Sequence, residues 1–387
     1  MKKYNVAIAD KINRDEIVDF LSKIYGPNYS AAHGVFSTIF DHEPSLSPQN
    51  LILARAAKGN LIGVVRIVDR KIFVDGAILE CGGISSVGVH PQWREQGICG
   101  AMMEKAIKAM TQRGKDVSIL HGRRVLDGFY LRFGYYGIGR YVDLEVDCSQ
   151  KTPAVLGTAP FGQDDLTHIK RLYEEIYPHL TGAFVRNPEV WRYLLALVKN
   201  SKGRMKIFTY RKNRKIVGYG VLNEKKMVEM ALEQKYFSGA ASLNRSLGVD
   251  SLSIHPRHPF YVFCRSQFNT TAKERFALDG GYMARVIDCE GLLKKLGPRL
   301  AARARELGVS SQVVRLLNYE ISLKNGKVYC TNKINDILFR KKEAIVRLLL
   351  RMIGPFDVAG IVWNQQKPWI PFLFQGLYYH TDAWDEI

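Results

Sequence analysis

Along the first third of the chain, apolar positions switch repeatedly between a strand-like and a helix-like rhythm. Tyr4–Ala9 reads as a strand and Asp15–Ile24 as an amphipathic helix. Leu51–Ala57 and Leu61–Val68 read as strands around the tight turn Lys58-Gly59-Asn60, hence a hairpin. Ile78–Val89 reads as a long strand. Gly97–Arg113 carries apolar residues at helical spacing (Ile98, Met102, Ala106, Met110) and ends at Gly114. Val117–Leu120 reads as a short buried strand, Val125–Phe133 as a short helix stopped by Gly134, and Tyr141–Val146 as a final strand. Antiparallel hairpins followed by a strand–helix–strand unit predict a mixed α/β (α+β) domain.

The pattern then starts again near Pro160. Helices are expected at Asp165–Tyr177 and Pro188–Lys199, followed by a hairpin over Lys206–Asn223 that echoes the first one. This predicts a degenerate copy of the first fold. A third segment begins near Ala284, with a long amphipathic helix at Leu292–Leu307. Tyr319–Leu323 and Lys327–Cys330 flank Asn325-Gly326, a strong hairpin signal, and a helix is expected at Lys342–Met352. With 387 residues the chain exceeds one ordinary core, and the expected segments are 1–150, 151–280 and 281–387. No low-complexity linker separates them, so packed domains are expected.

Charge narrows the class of partner. The net charge is +19, distributed as +3 over residues 1–150, +10 over 151–280 and +6 over 281–387. The excess gathers around Lys199–Lys215, where Arg211-Lys-Asn-Arg-Lys215 sits at the expected hairpin tip. A solvated tip explains it. A docking surface for an acidic partner is the functional alternative. Nothing in the sequence supports nucleic-acid readout: there is no aromatic interleaving, zinc spacing or recognition-helix pattern.

Cysteines at 81, 99, 148, 264, 289 and 330 form no metal knuckle or CxxC pair, which points to a reducing, cytoplasmic setting. The first residues lack a signal-peptide apolar run, and no stretch reaches the roughly 18 apolar residues of a membrane helix. His255-Pro-Arg-His258 places a proline between two histidines, which favours a loop over a metal site, and no metal is expected.

The most informative stretch is Ser86-Val-Gly-Val-His-Pro-Gln-Trp-Arg-Glu-Gln-Gly-Ile-Cys-Gly-Ala101. A strand runs into a turn, and a helix begins at Gly97. A helix N-terminus offers unpaired N–H groups and partial positive charge, which together make an anion site. Gly97 and Gly100 hold nothing away from the backbone, and Arg94 adds a cation. The pattern is neither G-x-G-x-x-G nor a P-loop.

It resembles the pyrophosphate loop of the GNAT acetyltransferase superfamily, Arg/Gln-x-x-Gly-x-Gly/Ala, filled here by Arg94-Glu95-Gln96-Gly97-Ile98-Cys99. Cys99 departs from the usual Gly or Ala, and Gly100 follows it. The resemblance implies a splayed central sheet whose strand residues Val87, Gly88 and Val89 bind the pantetheine arm of acetyl-CoA. The loop Arg94, Glu95, Gln96, Gly97, Ile98, Cys99, Gly100 and Ala101 would take the pyrophosphate. Val117–Leu120 would form the other wall.

Asp127-Gly-Phe-Tyr-Leu-Arg-Phe-Gly-Tyr135 is similar to the Phe-Tyr-x-x-x-Gly-Phe/Tyr element of that superfamily. Acyl transfer from a thioester to an amine releases a thiolate that needs a proton, which a phenol can supply, and Tyr130 fits that role. The attacking amine must lose a proton. Asp41, His42, Glu43 and His121 are candidates to receive it, although each is also explained as an ordinary polar residue. Cys99 at a helix N-terminus is a further candidate, for a lowered thiol pKa.

The layout of an active GNAT domain, a degenerate one and a C-terminal domain resembles the Eis-type acetyltransferases. That resemblance implies a sterol-carrier-protein-like third domain, with Met283-Ala-Arg-Val-Ile-Asp and Gly291-Leu-Leu as the local match. It also implies a homo-oligomer and a terminal carboxylate, here that of Ile387, acting as the base. The Eis-type ending is typically aromatic at its last residue, whereas this chain ends Asp385-Glu-Ile387.

The expected function is direct transfer of acetyl from acetyl-CoA to a primary amine, on a small molecule or a lysine. Protein-lysine acetylation would use the basic middle segment for docking. The alternative from another class is a non-catalytic acyl-CoA or lipid-binding or sensing protein.

Overall fold

The computed structural model describes residues 4–26, 28–122, 124–138, 140–147, 156–276, 281–308, 311–316, 319–324 and 327–332. In the first lobe β1 (Tyr4–Ile8) leads to α1 (Arg14–Tyr25) and α2 (Tyr29–His42). Asn13 and Asn28 cap these helices, each accepting a hydrogen bond from a first-turn N–H. The hairpins β2 (Leu51–Ala56), β3 (Leu61–Val74) and β4 (Ala77–Val89) follow, then α3 (Ile98–Gln112), β5 (Val117–Gly122), α4 (Asp127–Leu131) and β6 (Tyr136–Gly137). The next strand is β7 (Arg140–Asp147).

The same order returns in the second lobe: β8 (Gly157–Pro160), α5 (Leu166–Ile176), α6 (Pro188–Asn200), β9 (Met205–Lys212), β10 (Lys215–Asn223), β11 (Lys226–Leu232), α7 (Phe237–Ser246), β12 (Ser251–Leu252), α8 (Pro259–Gln267) and β13 (Asn269–Phe276). Here too a strand comes last, β14 (Gly281–Val286). The chain continues through α9 (Cys289–Glu306) into β15 (Ser311–Leu316), β16 (Tyr319–Lys324) and β17 (Lys327–Asn332), which form a three-stranded antiparallel sheet.

The lobes exchange strands. The first sheet runs β1-β2-β3-β4-β5-β14-β6 and the second β13-β7-β12-β11-β10-β9-β8. β7 pairs antiparallel with β13 from Asn269↔Asp147 to Phe276↔Arg140, while β14 pairs with β5 from Gly281↔Gly122 to Val286↔Val117. The strand expected to close the first lobe therefore closes the second. Met283–Val286, matched by resemblance to the third segment, completes the first sheet. Residue alternation reports which face of a strand is buried, not which sheet receives it.

Each face of the first sheet carries a core. α3 packs Ile98, Met102, Ala106 and Met110 against Val65 and Ile67 of β3. On the opposite face α1 and α2 pack Ile17, Leu21, Phe36 and Phe40 against Leu51, Leu53 and Val64. Helix α2 ends in Asp41 and His42, in a stretch where the sequence pattern predicts no element. α9 docks on the β3–β4 hairpin through Arg303, whose guanidinium donates to Asp75 at 2.6 and 2.8 Å. Among the described residues, no helix is long and apolar enough to cross a membrane. The hairpin tip expected at Arg211–Lys215 is present, with Asn213 and Arg214 at φ 49° and 68°, as a two-residue primed turn requires.

Candidate active site

The site arises where two parallel strands separate. β4 and β5 pair from Cys81↔Val117 to Ile84↔Leu120. Immediately beyond, the β3–β4 register slips between Val64 and Arg66, and Ser86 takes φ 52°. This bulge sets two residues of β4 against one of β3 and bends β4 away from β5. His90 N–H bonds to Ile62 O at 2.9 Å, so Gly88 and His90 face β3. By alternation, Val87 and Val89 turn their backbone polar groups toward the gap.

From Val89 the chain makes one turn of 3-10 helix at Pro91–Trp93 and reverses through Arg94–Gly97 into α3. Glu95 and Gly97 adopt φ 63° and 77°, a region where a side chain is costly and glycine is not. The first backbone bond of α3 runs from Ala101 N–H to Gly97 O at 3.0 Å. The N–H groups of Ile98, Cys99 and Gly100 therefore precede the helical ladder and form its positive end. These features fit an anionic phosphate group: a donor cluster, a backbone without side-chain cover at Gly97, and the exposed Arg94 beside it.

A cleft of about 970 Å³ joins these parts. Val87, Gly88, Val89, Trp93, Arg94, Glu95, Gly97, Ile98, Cys99 and Gly100 form one wall, and Phe129, Tyr130, Arg132 and Phe133 the other. Two of the sequence-predicted loop residues stand outside it. Gln96 gives its carbonyl to the Tyr4 hydroxyl at 3.2 Å, and Ala101 makes the first turn of α3.

Tyr130 is 5% exposed, with its ring edge-on to Phe129 (5.2 Å) and Tyr135 (6.4 Å). Gly122 of β5 leaves room for it, since a Cβ there would stand 3.3 Å from the Tyr130 ring. Burial raises the Tyr130 phenol well above its ordinary value, with smaller contributions from Tyr25, Cys99 and Tyr135. It keeps its proton at neutral pH. The nearby Tyr135 is fully buried, shares a 2.8 Å hydrogen bond with the Ser118 hydroxyl, and does not line the cleft. Of the two phenols in that element, only Tyr130 faces the gap.

The candidate bases separate by environment. Asp41 is held by Arg14 at 2.6 and 2.8 Å. Glu43 is buried and bonded to Arg70. His42 ends α2. His121 is exposed, with its ring 4.9 Å from that of Tyr282 on the exchanged strand β14. Ile387 lies outside the described residues. Desolvation pushes the Cys99 thiol up to about 11 and outweighs the nearby Arg132, which disfavours the thiolate that the helix start offered as a candidate. His258 caps α8 and His255 accepts from Arg257 N–H at 2.9 Å. No cluster of metal-ligating side chains occurs among the described residues.

Sequence reasoning missed Tyr25, whose hydroxyl donates to Val87 O at 2.7 Å, and the bulge at Ser86. Neither has a local signal. Arg132, placed over the Phe129 ring at 5.0 Å, lay within the recognised aromatic element but was not singled out.

A cleft between splayed parallel strands, with the start of α3 and the Tyr130 phenol among its walls, fits an acyltransferase. Residues 8–138, which contain the whole cleft, match the family model described as the acetyltransferase (GNAT) domain. Enzymes of that family draw on an acyl-CoA donor. Three solved structures are similar over nearly the whole chain. A GCN5-related N-acetyltransferase from Anabaena variabilis is 15% identical with TM-score 0.72, covering 98% of this chain and 99% of its own. One from Kribbella flavida is 15% identical with TM-score 0.69, covering 99% and 100%. Eis1 from Mycobacterium abscessus is 16% identical with TM-score 0.62, also covering 99% and 100%. At these identities the likeness is one of fold. No curated protein matches the sequence at a significant level.

Proposed function

We propose that the chain is an acetyl-CoA-dependent N-acetyltransferase acting on a primary amine. The observation that carries this is the cleft itself, which brings the strand backbone at Val87 and Val89, the N-terminus of α3 and the Tyr130 phenol to one gap. The backbone of Val87–Val89 holds the pantetheine arm, and the loop from Arg94 to Gly100 holds the pyrophosphate. The amine nitrogen bonds to the acyl carbon, the carbon–sulfur bond breaks, and Tyr130 delivers its proton to the departing sulfur. The transfer in this reading is direct, without an acyl-enzyme, and the burial of Cys99, which disfavours its thiolate, supports it.

Asp41 and Glu43 are committed to arginines, so the base belongs elsewhere. We assign it to the terminal carboxylate of Ile387, on the basis of the Eis-type layout. The test is thiol release from acetyl-CoA with a panel of amines, for the intact chain and for one lacking Asp385–Ile387. Turnover that collapses on truncation while acetyl-CoA still binds supports both assignments. Turnover that survives removes Ile387 from the mechanism. An intact chain that binds no acetyl-CoA overturns the reading.

A further inference from the structure

The internal repeat gives the strand that lines the cleft a counterpart in the second lobe. Glu233 N–H bonds to Val217 O at 3.0 Å, just as His90 N–H bonds to Ile62 O, and each bond is followed by one turn of 3-10 helix. Met230 therefore corresponds to Val87, each three residues before its marker. Both lie beyond the last parallel pairs of their sheets, Met227↔Leu252 and Ile84↔Leu120.

In both lobes a tyrosine at the end of the first helix reaches that residue's carbonyl. Tyr25, the last residue of α1, donates to Val87 O at 2.7 Å. Tyr177, the residue after α5, donates to Met230 O at 3.1 Å. The environments differ. Tyr177 is 2% exposed, stacks on Tyr173 with centroids 4.3 Å apart, and is joined on the same carbonyl by His258 Nε2 at 2.8 Å. The His258 Nδ1 accepts from Phe260 N–H, so Nε2 carries the proton. The second lobe also passes from its 3-10 turn directly into α7, without the four residues Arg94–Gly97. Met230 is fully buried there, and its carbonyl already holds two partners. Tyr25 is 38% exposed and makes an edge contact with Phe36 at 5.3 Å.

We infer that Tyr25 is a positioning residue whose hydroxyl competes with a pantetheine amide N–H of the donor for the Val87 carbonyl. This rests on the donor site proposed above. Binding the arm exchanges one hydrogen bond to that carbonyl for another, and Tyr25 turns outward, a movement that burial denies to Tyr177. Tyr25 thereby lowers donor affinity by about the net worth of one neutral hydrogen bond, or about 3- to 10-fold.

The test compares the full-length chain with Tyr25→Phe, which keeps the ring and its contact with Phe36. Calorimetry measures acetyl-CoA and 3′-phospho-ADP, which lacks the arm. Tyr25→Phe should bind acetyl-CoA about 3- to 10-fold more tightly and 3′-phospho-ADP with unchanged affinity. Tyr177→Phe should change neither. Equal or weaker acetyl-CoA binding in Tyr25→Phe overturns the inference, as does an equal gain for both ligands, which would mark a structural effect on the whole cleft. A wild-type chain that binds neither ligand removes the donor site itself, and this inference with it.

Discussion

The Glu43 carboxylate accepts from both terminal nitrogens of Arg70, each at 2.8 Å, on the helix-covered face of β3. Arg66, also buried, stands 3.5 Å from the same carboxylate. The pair ties the end of α2 to β3 opposite Cys81, where β4 begins its pairing with β5. Arg70 also lies 5.8 Å from the Tyr193 ring of α6, so the second lobe touches the same knot.

That knot makes the fold acid-sensitive. Burial alone would raise the Glu43 pKa, but the hydrogen bonds from Arg70 and the charges of Arg70 and Arg66 outweigh it and lower it from 4.5 to about 2. A depressed carboxylate pKa contributes stability that is complete above the unfolded value and is lost as pH falls toward the folded one. The contribution at neutral pH is on the order of 3 kcal/mol. Glu43→Gln should lower the melting temperature at pH 7 and flatten its decline between about pH 4.5 and 2. An unchanged decline would assign the acid sensitivity to another group.

Tyr130→Phe removes the proton donor and keeps the ring that packs on Phe129 and beside Gly122. General acid catalysis contributes roughly 10²- to 10⁴-fold. The expected result is a kcat loss of about that size, with acetyl-CoA affinity held within about twofold, because the backbone of Val87–Val89 and the 94–100 loop are untouched. Tyr135→Phe, which breaks only the bond to Ser118, is the control for a general disturbance. Full turnover in Tyr130→Phe would take the phenol out of the chemistry.

Gly97→Ala places a side chain where φ is 77°. The left-handed region costs an L-residue roughly 1–2 kcal/mol, and relaxing it moves the N–H groups that open α3. The KM for acetyl-CoA should rise about tenfold, and the KM for the amine should stay. Equal rises in both would mean that the loop shapes the acceptor side as well.

Most of this cleft was legible because its parts are local. Strand, turn, glycine and helix follow one another between Ser86 and Ala101, and the aromatic element is contiguous from Asp127 to Tyr135. The strand exchange was not legible. Tyr141–Val146 and Met283–Val286 alternate like any half-buried strand, and their sheets are chosen by partners more than 100 residues away. Helix α2 was missed because Ser30, His33 and Gly34 dilute its first two turns, although Phe36, Ile39 and Phe40 carry the helical period. Tyr25 was invisible for a different reason: its role depends on a backbone carbonyl exposed by a bulge 61 residues later, at Ser86.

The second lobe has its own buried pair. Arg186 donates to both oxygens of Glu229, both side chains have no exposure, and the Tyr219 hydroxyl donates to Glu229 at 2.7 Å. The guanidinium also lies 4.1 Å from the Tyr173 ring and 4.7 Å from that of Trp191. Removing one partner leaves an uncompensated buried charge, at about 3–5 kcal/mol. Glu229→Ala should lower stability by that amount, read as a denaturation midpoint, while turnover per folded molecule persists. Lost turnover in a folded variant would give the second lobe a part in the chemistry.

Cys99 offers a direct probe of the cleft, because it lines the cleft and burial pushes its thiol up to about 11. At pH 8 only about one thiol in a thousand is ionised, against about a quarter for an unperturbed cysteine. Iodoacetamide should therefore modify Cys99 at least about tenfold more slowly than free cysteine at pH 8, with a rate still climbing at pH 10. Acetyl-CoA should slow it further, since Cys99 lines the same cleft as the 94–100 loop that would hold the pyrophosphate. Rapid labelling at pH 7 would show that the positive end of α3 outweighs desolvation, and would restore the thiol as a nucleophile. Slow labelling that acetyl-CoA leaves unchanged would place the pyrophosphate away from this loop. The pH slope and the protection thus report separately on the electrostatics of the helix start and on what it binds.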